Sequence, residues 1–163
     1  MKEHTLVLVK PDGVIRGLIG EVITRFEKAG LKIVAMKMIQ PTKTIGLAHY
    51  TEDLAARRGQ KVRDMMVDFL QTGPVVAMVV EGIHAIEVVR KLIGSTEPTK
   101  ALPGTIRGDF SHHSFKHSDT TGVAVKNIIH ASSDEADAKR EVSVWFKPSE
   151  LVKYKTVHES ETF

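Results

Sequence analysis

A histidine and a glutamate lie at the junction of two apolar patterns near the C-terminal end of the chain. His130 follows the apolar residues Ile128 and Ile129, and Glu141 falls within a segment whose apolar residues recur with helical spacing. A strand advances about 3.3 Å per residue and a helix about 1.5 Å, so a helix that folds back along the strand brings Glu141 roughly alongside His130. A carboxylate that accepts one ring N–H leaves the other imidazole nitrogen bare, and that nitrogen is a nucleophile.

The helix that carries Glu141 is predicted to start at a capping box. Ser132 and Glu135 have the required S-x-x-E spacing, and the apolar stripe follows them. Taken alone, the pair favours a structural interpretation, in which His130 is a half-buried histidine with satisfied hydrogen bonds and Glu141 is solvated. A chemical role therefore depends on what surrounds the pair.

Three basic residues fall where a strand or helix meets a loop. Lys10 ends the first strand pattern, Arg90 lies on a helix that precedes a loop, and Arg107 lies in the glycine-rich stretch 104–109. Two guanidinium groups and an ammonium group could neutralise the oxygens of a polyphosphate. Each of them alone is more often a solvated surface charge, and a glycine-rich stretch alone is a weak signal for anion binding.

A phosphate-handling enzyme with this sequence needs a device other than a P-loop. The motif G-x-x-x-x-G-K-[ST] does not occur, and the protein-kinase signatures are absent. A nucleophilic histidine is such a device, because neutral imidazole can accept a phosphoryl group and pass it on.

Strand and helix patterns alternate along the chain. Strands are expected at residues 5–9, 31–39, 75–80 and 123–131, with amphipathic helices between them. Polar or aperiodic residues predict loops over 52–60, 94–108 and 109–121. This order favours an α+β fold with a ferredoxin-like, four-stranded antiparallel sheet and flanking helices.

The composition is that of an ordinary globular protein. With 42% hydrophobic and 26% charged residues among 163, the chain suffices for one domain, which we expect to span residues 1–163. No apolar run is long enough for a membrane span, and no signal peptide is expected. The absence of cysteine excludes disulfides and thiolate metal sites and fits a cytoplasmic location. The net charge of +3 suits an anionic substrate but is too small to argue for nucleic acid.

Five segments carry motifs that are found together in one enzyme family. They are V-K-P-D-G-V at 9–14, R-G-L-I-G-E at 16–21, G-P-V-V-A-M-V at 73–79, G-T-I-R-G-D-F at 104–110 and N-I-I-H-A-S at 127–132. In this order they resemble the nucleoside diphosphate kinases over nearly the whole chain. Five collinear motifs are more specific than any single one, and they move the interpretation of His130 from structural to catalytic.

The resemblance implies a ping-pong reaction in which His130 accepts the γ-phosphoryl group of a nucleoside triphosphate and passes it to a nucleoside diphosphate. It implies Mg²⁺ bound mainly through the substrate phosphates, with no dedicated metal ligands in the protein. It also implies a homo-oligomer, with a hexamer favoured, in which the loop 94–108 contributes to subunit contacts. Neither a membrane nor a nucleic acid is required.

The same resemblance assigns nucleotide contacts to individual residues. Lys10 would contact the transferring phosphate and the sugar, and Asn127 would contact the ribose. The residues that would hold the phosphates are Arg90, Thr96 and Arg107.

It also implies three residues that support His130. Tyr50 would pack near the imidazole, while Ser132 and Glu141 would orient the site.

Two substitutions depart from the family pattern. The family stacks the base on a Pro-Phe-Phe run, and alignment back from Gly73 places Val62 where that aromatic residue is expected, with Met66 lower in the same pocket. Loss of an aromatic platform costs about 1 kcal/mol or more of binding free energy, so a high KM is expected. In addition, Ser133 stands where the family has an acidic residue, and Asp134 follows it.

An insertion of about ten residues separates Phe110 from Asn127, a third departure from the family pattern, and it contains His112, His113 and His117. A metal site could be imagined from these histidines, but a solvated polar loop is the preferred interpretation. Because the insertion directly precedes the strand of the histidine, we hypothesise that it borders the nucleotide cleft or a subunit interface.

The sequence is also compatible with two other functions. The altered stacking segment is compatible with a catalytically weakened relative that serves as a nucleotide-binding or interaction protein. The expected sheet and the mild basicity are compatible with a nucleic-acid-binding module, although no RNP1-like aromatic run is present.

Overall fold

A four-stranded antiparallel sheet forms the centre of the protein, which the computed structural model describes over residues 2–157 and 159–163. The strands are β1 (Lys2–Val9), β2 (Lys32–Ile39), β3 (Val75–Ile83) and β4 (Ile129–Ala131). Their order in the sheet is β2-β3-β1-β4, so β1 and β3 are central and β4 lies at one edge. With helices on both faces, this is the α+β, ferredoxin-like arrangement that the sequence predicts.

Ten α-helices surround the sheet within the described residues. They are α1 (Pro11–Ile15), α2 (Ile19–Lys28), α3 (Lys43–His49), α4 (Glu52–Arg58), α5 (Gln60–Leu70), α6 (Ala85–Ile93), α7 (Ile106–Phe110), α8 (Phe115–Thr121), α9 (Glu135–Trp145) and α10 (Glu159–Thr162). Two 3₁₀ turns, at Pro98–Lys100 and Pro148–Glu150, complete the connections. None of the described helices has both the length and the hydropathy to cross a bilayer.

The sheet is buried on both faces, which explains why β1 and β3 are apolar without alternation. Val7 and Val9 pack in a cluster with residues of α2 and α6. Leu6 and Leu8 face the other way and pack in a second cluster with residues of α5 and α9. The sheet therefore separates two apolar layers, and a residue's position in the β1 register determines the layer that it faces.

The register of β4 directs His130 toward α9. His130 pairs with Leu8 of β1, whereas Ile129 pairs with Val9. Directly paired residues in a sheet point to the same face, so the imidazole lies on the Leu8 face, where α9 packs. This register is what allows a side chain of α9 to contact His130.

The helix α9 starts later than predicted. Asp134 is its N-cap, and the carboxylate of Asp134 accepts a hydrogen bond of 2.8 Å from the N–H of Asp137. The capping box predicted at Ser132 is therefore wrong, because Asp134 supplies the cap. The hydroxyl of Ser132 is instead directed into the site.

Short helices form in all three segments predicted as loops, and α7 spans the junction of the last two. Residues 52–58 form α4, which has no buried residue and is supported by a 2.7 Å ion pair between Arg57 and Asp53. A helix with no apolar stripe gives no periodic signal. In the insertion, α8 is capped by Ser114 and ends at Gly122, whose φ of 68° favours glycine.

The last strand is much shorter than the predicted 123–131. Ile128 has a φ of 71°, a left-handed conformation that is rare for a β-branched residue, and it interrupts the strand. The carboxylate of Asp12 accepts the N–H of Ile128 at 2.8 Å, and the carbonyl of Ile128 accepts the N–H of Lys10 at 2.8 Å. The backbone two residues before His130 is thus fixed by the end of β1 and the start of α1.

Candidate active site

One cleft with a volume of about 380 Å³ brings together nine of the ten predicted site residues. These nine are Lys10, Tyr50, Val62, Arg90, Thr96, Arg107, Asn127, His130 and Glu141. The tenth, Ser132, is fully buried beneath the cleft floor and contacts Glu141. The cleft therefore joins residues from the whole length of the chain.

The predicted contact between His130 and Glu141 is present. Nε2 of His130 lies 2.9 Å from Oε2 of Glu141, and the Ser132 hydroxyl donates a 2.7 Å hydrogen bond to the same oxygen. Burial raises the pKa of Glu141, but the charge of His130 and these hydrogen bonds lower it more, so that the net pKa is below its usual value. An ionised carboxylate can only accept, so Nε2 carries the proton. No hydrogen bond from the described residues occupies Nδ1 of His130.

A second histidine, His49, lies behind the first. Its ring stacks edge-on against that of His130 with centroids 4.4 Å apart, and its Nδ1 accepts the indole N–H of Trp145 at 3.3 Å. Burial, followed by the charge of His130, lowers the pKa of His49 well below its usual value. His49 is therefore neutral, and its 4.0 Å approach to Glu141 is a contact of a neutral ring and not an ion pair.

Tyr50 reaches the cleft beside His49. Its ring lies edge-on to that of His49, with centroids 4.7 Å apart, and the side chain is buried. Burial raises the pKa of its hydroxyl, so that Tyr50 is neutral at physiological pH. The ring that directly contacts His130 is thus His49, and Tyr50 packs against this ring.

Lys10 is the most deeply buried cation of the site, with 1% of the residue exposed. Its ammonium group donates to the side-chain oxygen of Asn127 and, at 3.4 Å, to the carbonyl of Val125. Burial lowers the pKa of Lys10 to about 8, an effect that Asp12 opposes and Arg107 reinforces. A buried ammonium group with a lowered pKa favours the approach of an anion.

The two arginines differ in how they are held. Arg107 is buried and donates to the carbonyls of Gly94 at 2.9 Å and Ile129 at 2.7 Å, and more weakly to Asn127 at 3.4 Å. A guanidinium group has five N–H groups, so two remain for a ligand. Burial lowers the pKa of Arg107 to about 10, with the charge of Arg90 adding to the effect. Arg90 is exposed on α6 and lines the same cleft.

Asn127 and Thr96 tie the loop after α6 to the site. The amide nitrogen of Asn127 donates to the carbonyl of Thr96 at 2.7 Å, while its oxygen accepts from Lys10. Thr96 is exposed at the cleft, so its hydroxyl is accessible to a ligand. The amide thus links Lys10, which directly follows β1, to the loop 94–108.

Apolar side chains also line the cleft. They are Val62, Met65 and Met66 of α5 and Phe115 of α8. Phe115 belongs to the insertion, which therefore borders the cleft, as hypothesised. The site thus combines Lys10, Arg90 and Arg107 with apolar side chains of α5 and α8, and Arg57 and Arg58 of α4 line it too.

Sequence reasoning missed three residues of this site: His49, Arg140 and Phe115. Arg140 donates to Oε1 of Glu141 at 3.3 Å and thus balances part of the buried charge. Its only sequence signal was its place beside Glu141. His49 precedes Tyr50, and Phe115 lies in a segment without apolar periodicity, so neither position stood out.

One group of possible metal ligands occurs in the part of the chain that the structure describes. His49, His130 and Glu141 have ligand atoms within 4.8 Å of one another. Two imidazoles and one carboxylate do not suit Mg²⁺, which prefers oxygen ligands. The insertion histidines form no such group among the described residues, although His113 and His117 stack 4.9 Å apart.

Comparisons with known proteins agree with this geometry. Residues 3–151 match the family model of nucleoside diphosphate kinase. The chain is 51% identical over 99% of its length to the nucleoside diphosphate kinase of Borreliella burgdorferi, covering 97% of that protein, and 49% identical over 93% to that of Pyrococcus furiosus, covering 88%.

Two solved structures extend the comparison. A transition-state mimic of the Borrelia burgdorferi enzyme with bound vanadate and ADP superposes with a TM-score of 0.97 at 51% identity, covering 99% of this chain and 96% of that one. The Halobacterium salinarum enzyme in complex with CDP gives a TM-score of 0.85 at 38% identity, covering 100% and 99%. The family-model match and the identity over nearly the full length together show that this chain belongs to the nucleoside diphosphate kinase family, enzymes that transfer phosphoryl groups between nucleoside tri- and diphosphates.

Proposed function

We propose that this enzyme works by a ping-pong mechanism through a phosphohistidine on Nδ1 of His130. The observation that carries the proposal is the 2.9 Å contact of Nε2 with Glu141, which places the proton on Nε2 and leaves the lone pair of Nδ1 for reaction. Nδ1 attacks the γ-phosphorus of a nucleoside triphosphate, and the bond from that phosphorus to the β–γ bridging oxygen breaks. The nucleoside diphosphate leaves, and a second diphosphate takes the phosphoryl group by the reverse step.

Glu141 acts as a positioning residue in this mechanism. Phosphorylation at Nδ1 places positive charge on the imidazole ring, and the ionised carboxylate beside Nε2 stabilises that charge. Ser132 and Arg140 fix the carboxylate by hydrogen bonds of 2.7 and 3.3 Å. The buried, neutral ring of His49 limits the rotation of His130 from behind.

Three residues that line the cleft would hold the phosphates. We assign Arg90, Arg107 and the hydroxyl of Thr96 to phosphate oxygens, since all three line the cleft on the side of the loop 94–108. Lys10 would contact the transferring phosphoryl group and the sugar, and Asn127 the ribose. The hydrogen bond between Lys10 and Asn127 supports this assignment, because it places the ammonium and amide groups side by side.

Mg²⁺ would enter with the nucleotide. Lys10, Arg90 and Arg107 would hold the phosphates that carry the ion, and the ion itself would neutralise charge on the phosphate oxygens when bound. Because the group of possible metal ligands found among the described residues contains two imidazoles and does not suit Mg²⁺, the metal requirement should follow the substrate and not the free enzyme.

We also propose a cytoplasmic homo-oligomer, with a hexamer favoured. Met36 and Met38 are 55% and 57% exposed on the edge strand β2, and Leu102 in the loop 94–108 is 73% exposed. Exposed apolar residues along a sheet edge favour contact with another chain. Light scattering should give about six times the chain mass of 18.0 kDa, and a stable monomer would contradict the assembly.

Initial-rate kinetics test the ping-pong order. With a nucleoside triphosphate and a different nucleoside diphosphate both varied, double-reciprocal plots should be parallel, because the first product leaves before the second substrate binds. Intersecting lines would indicate a ternary complex and direct transfer. His130→Ala should abolish transfer and keep the native circular dichroism spectrum.

A further inference from the structure

Phe115 of the insertion lines the same cleft as the predicted nucleophile His130. The apolar side chains of Val62, Met65 and Met66 line this cleft as well, together with Arg57 and Arg58 of α4. A nucleotide has a charged phosphate end and a flat, largely apolar base. With its phosphates at Lys10, the base would extend along the cleft toward Phe115 and these apolar side chains.

Hydrogen bonds at both ends of α8 hold Phe115 in place. Its backbone N–H donates to Oε1 of Glu97 at 2.9 Å, which ties α8 to the loop 94–108. The Ser114 hydroxyl caps the same helix at 3.1 Å, and the Ser118 hydroxyl donates to the carbonyl of Val123 at 2.6 Å. The ring therefore lies on a fixed helix that is bonded to both neighbouring segments.

The face of the Phe115 ring is already used by a planar group. The guanidinium carbon of Arg58, at the end of α4, lies 4.8 Å from the ring centroid. A guanidinium group and a nucleobase are both flat and both stack on aromatic rings. The Arg58 guanidinium is in contact with the Phe115 ring, so a base that stacks on this face has to displace it.

We propose that Phe115 is the residue on which the nucleobase stacks, in the position that the Arg58 guanidinium occupies in the free protein. Val62 and Met66 then contact the edge or the second face of the base. The platform thus comes from the insertion and not from α5. Because every base has a π-face, stacking of this kind supports binding of purines and pyrimidines alike. The inference deepens the proposed function and rests on it.

The test compares Phe115→Leu and Phe115→Ala with the wild type. Leucine keeps an apolar side chain of similar size but removes the π-face, so both variants should raise KM for nucleoside diphosphates by about 5- to 100-fold, with a much smaller effect on kcat. Thr120→Ala, an exposed position of the same helix that does not line the cleft, should keep the wild-type KM. A wild-type KM in Phe115→Leu would overturn the proposal.

Inorganic tripolyphosphate, used as a competitive inhibitor, separates the base from the phosphates. Its inhibition constant should be unchanged in Phe115→Leu, because it has no base. A parallel rise in this constant would show that the substitution disturbs the phosphate end, and it would overturn the stacking assignment. If instead the wild type transfers no phosphate at all, the proposed function fails before the question of stacking arises.

Phe115→Trp gives a readout that does not depend on turnover. Tryptophan preserves the stacking face, so KM should stay within about 3-fold of the wild type, and the new indole fluorescence should be quenched when a nucleoside diphosphate is added. The native Trp145 is buried in α9 and supplies the baseline, which is measured in the wild type. An indole whose fluorescence does not respond to saturating nucleotide would contradict stacking at this position.

Discussion

The carboxylate of Glu141 and the imidazole of His130 meet at 2.9 Å because one lies on α9 and the other on the edge strand β4, on the same face of the sheet. The carboxylate is almost completely buried. A buried acid that accepts one ring N–H determines which nitrogen of the histidine can react. The chemistry of the site thus depends on how the helix α9 packs against the three-residue strand β4.

Replacing Glu141 by glutamine should slow phosphorylation of the enzyme without unfolding it. The amide keeps the shape of the side chain but removes the negative charge that stabilises the phosphorylated ring, and it can leave the wrong tautomer. Loss of an acid that orients a histidine lowers kcat by about 10²- to 10⁴-fold in comparable sites. Glu135→Gln, an exposed position on the same helix, is the matched control and should have wild-type kcat. Equal rates for Glu141→Gln and the control would argue against a positioning role.

The lowered pKa of Lys10 predicts that a rise in pH lowers the activity and raises the stability. Its native pKa of about 8 is below the usual value of about 10.4, so above pH 8 the native protein loses the proton while the unfolded chain keeps it. The contribution of Lys10 to the free energy of unfolding therefore rises between about pH 8 and 10. Over the same range kcat/KM should fall, because a neutral amine no longer attracts phosphate.

Measurement of both quantities between pH 7 and 10 checks this prediction. In Lys10→Arg the guanidinium group stays charged, so the alkaline decrease of kcat/KM near pH 8 should disappear even if the maximum activity is lower. A decrease of the same size and midpoint in this variant would assign the titration to another group.

His49 predicts a loss of stability in mild acid. Its pKa is lowered by burial, so below about pH 6.5 the unfolded chain binds a proton that the native protein excludes. The free energy of unfolding should therefore fall by up to about 1.4 kcal/mol per pH unit from this group. Urea titrations of His49→Phe should show a shallower decrease, with His117→Ala, an exposed histidine, as the control. Identical slopes for His49→Phe and the wild type would contradict the assignment.

Substitutions of Arg90 and Arg107 should differ in their effect on stability, although both should weaken nucleotide binding. Arg107→Gln removes donors to the buried carbonyls of Gly94 and Ile129 and should lower the free energy of unfolding by about 1–3 kcal/mol. Arg90→Gln changes an exposed side chain and should stay within about 0.5 kcal/mol of the wild type. Both variants should raise KM for nucleotides, as initial rates will test. A loss of stability in Arg90→Gln equal to that in Arg107→Gln would be inconsistent with the hydrogen bonds described.

Much of the fold follows from apolar pattern. The runs at β1 and β3 and the stripes of α2, α5 and α6 are governed by burial, which sequence periodicity records. Two segments whose structure was predicted wrongly depend on other interactions. The helix α4 has no buried residue. The strand β4 is shortened by the left-handed backbone of Ile128, whose N–H is bound by the carboxylate of Asp12, far away in the sequence. A single sequence contains no sign of a hydrogen bond between positions so far apart.

Part of the candidate site could also be predicted from the sequence. The contact of His130 with Glu141 follows from the rise per residue of a strand and a helix. The family motifs identified Lys10, Arg90 and Arg107 as cations of the site. The place of His49 behind the reactive ring, and the arrival of Phe115 from the insertion, depend on tertiary packing that neither periodicity nor motif describes.

The central claim is tested most directly by isolating the phosphorylated enzyme. After incubation with a nucleoside triphosphate labelled in its γ-phosphate, without acceptor, the account predicts a stable adduct that is lost in acid, survives in base and lies on Nδ1 of His130. Addition of a nucleoside diphosphate should discharge it, and His130→Ala should form no adduct. Label on Nε2, label on another residue, or rapid nucleotide exchange without any adduct would contradict the account.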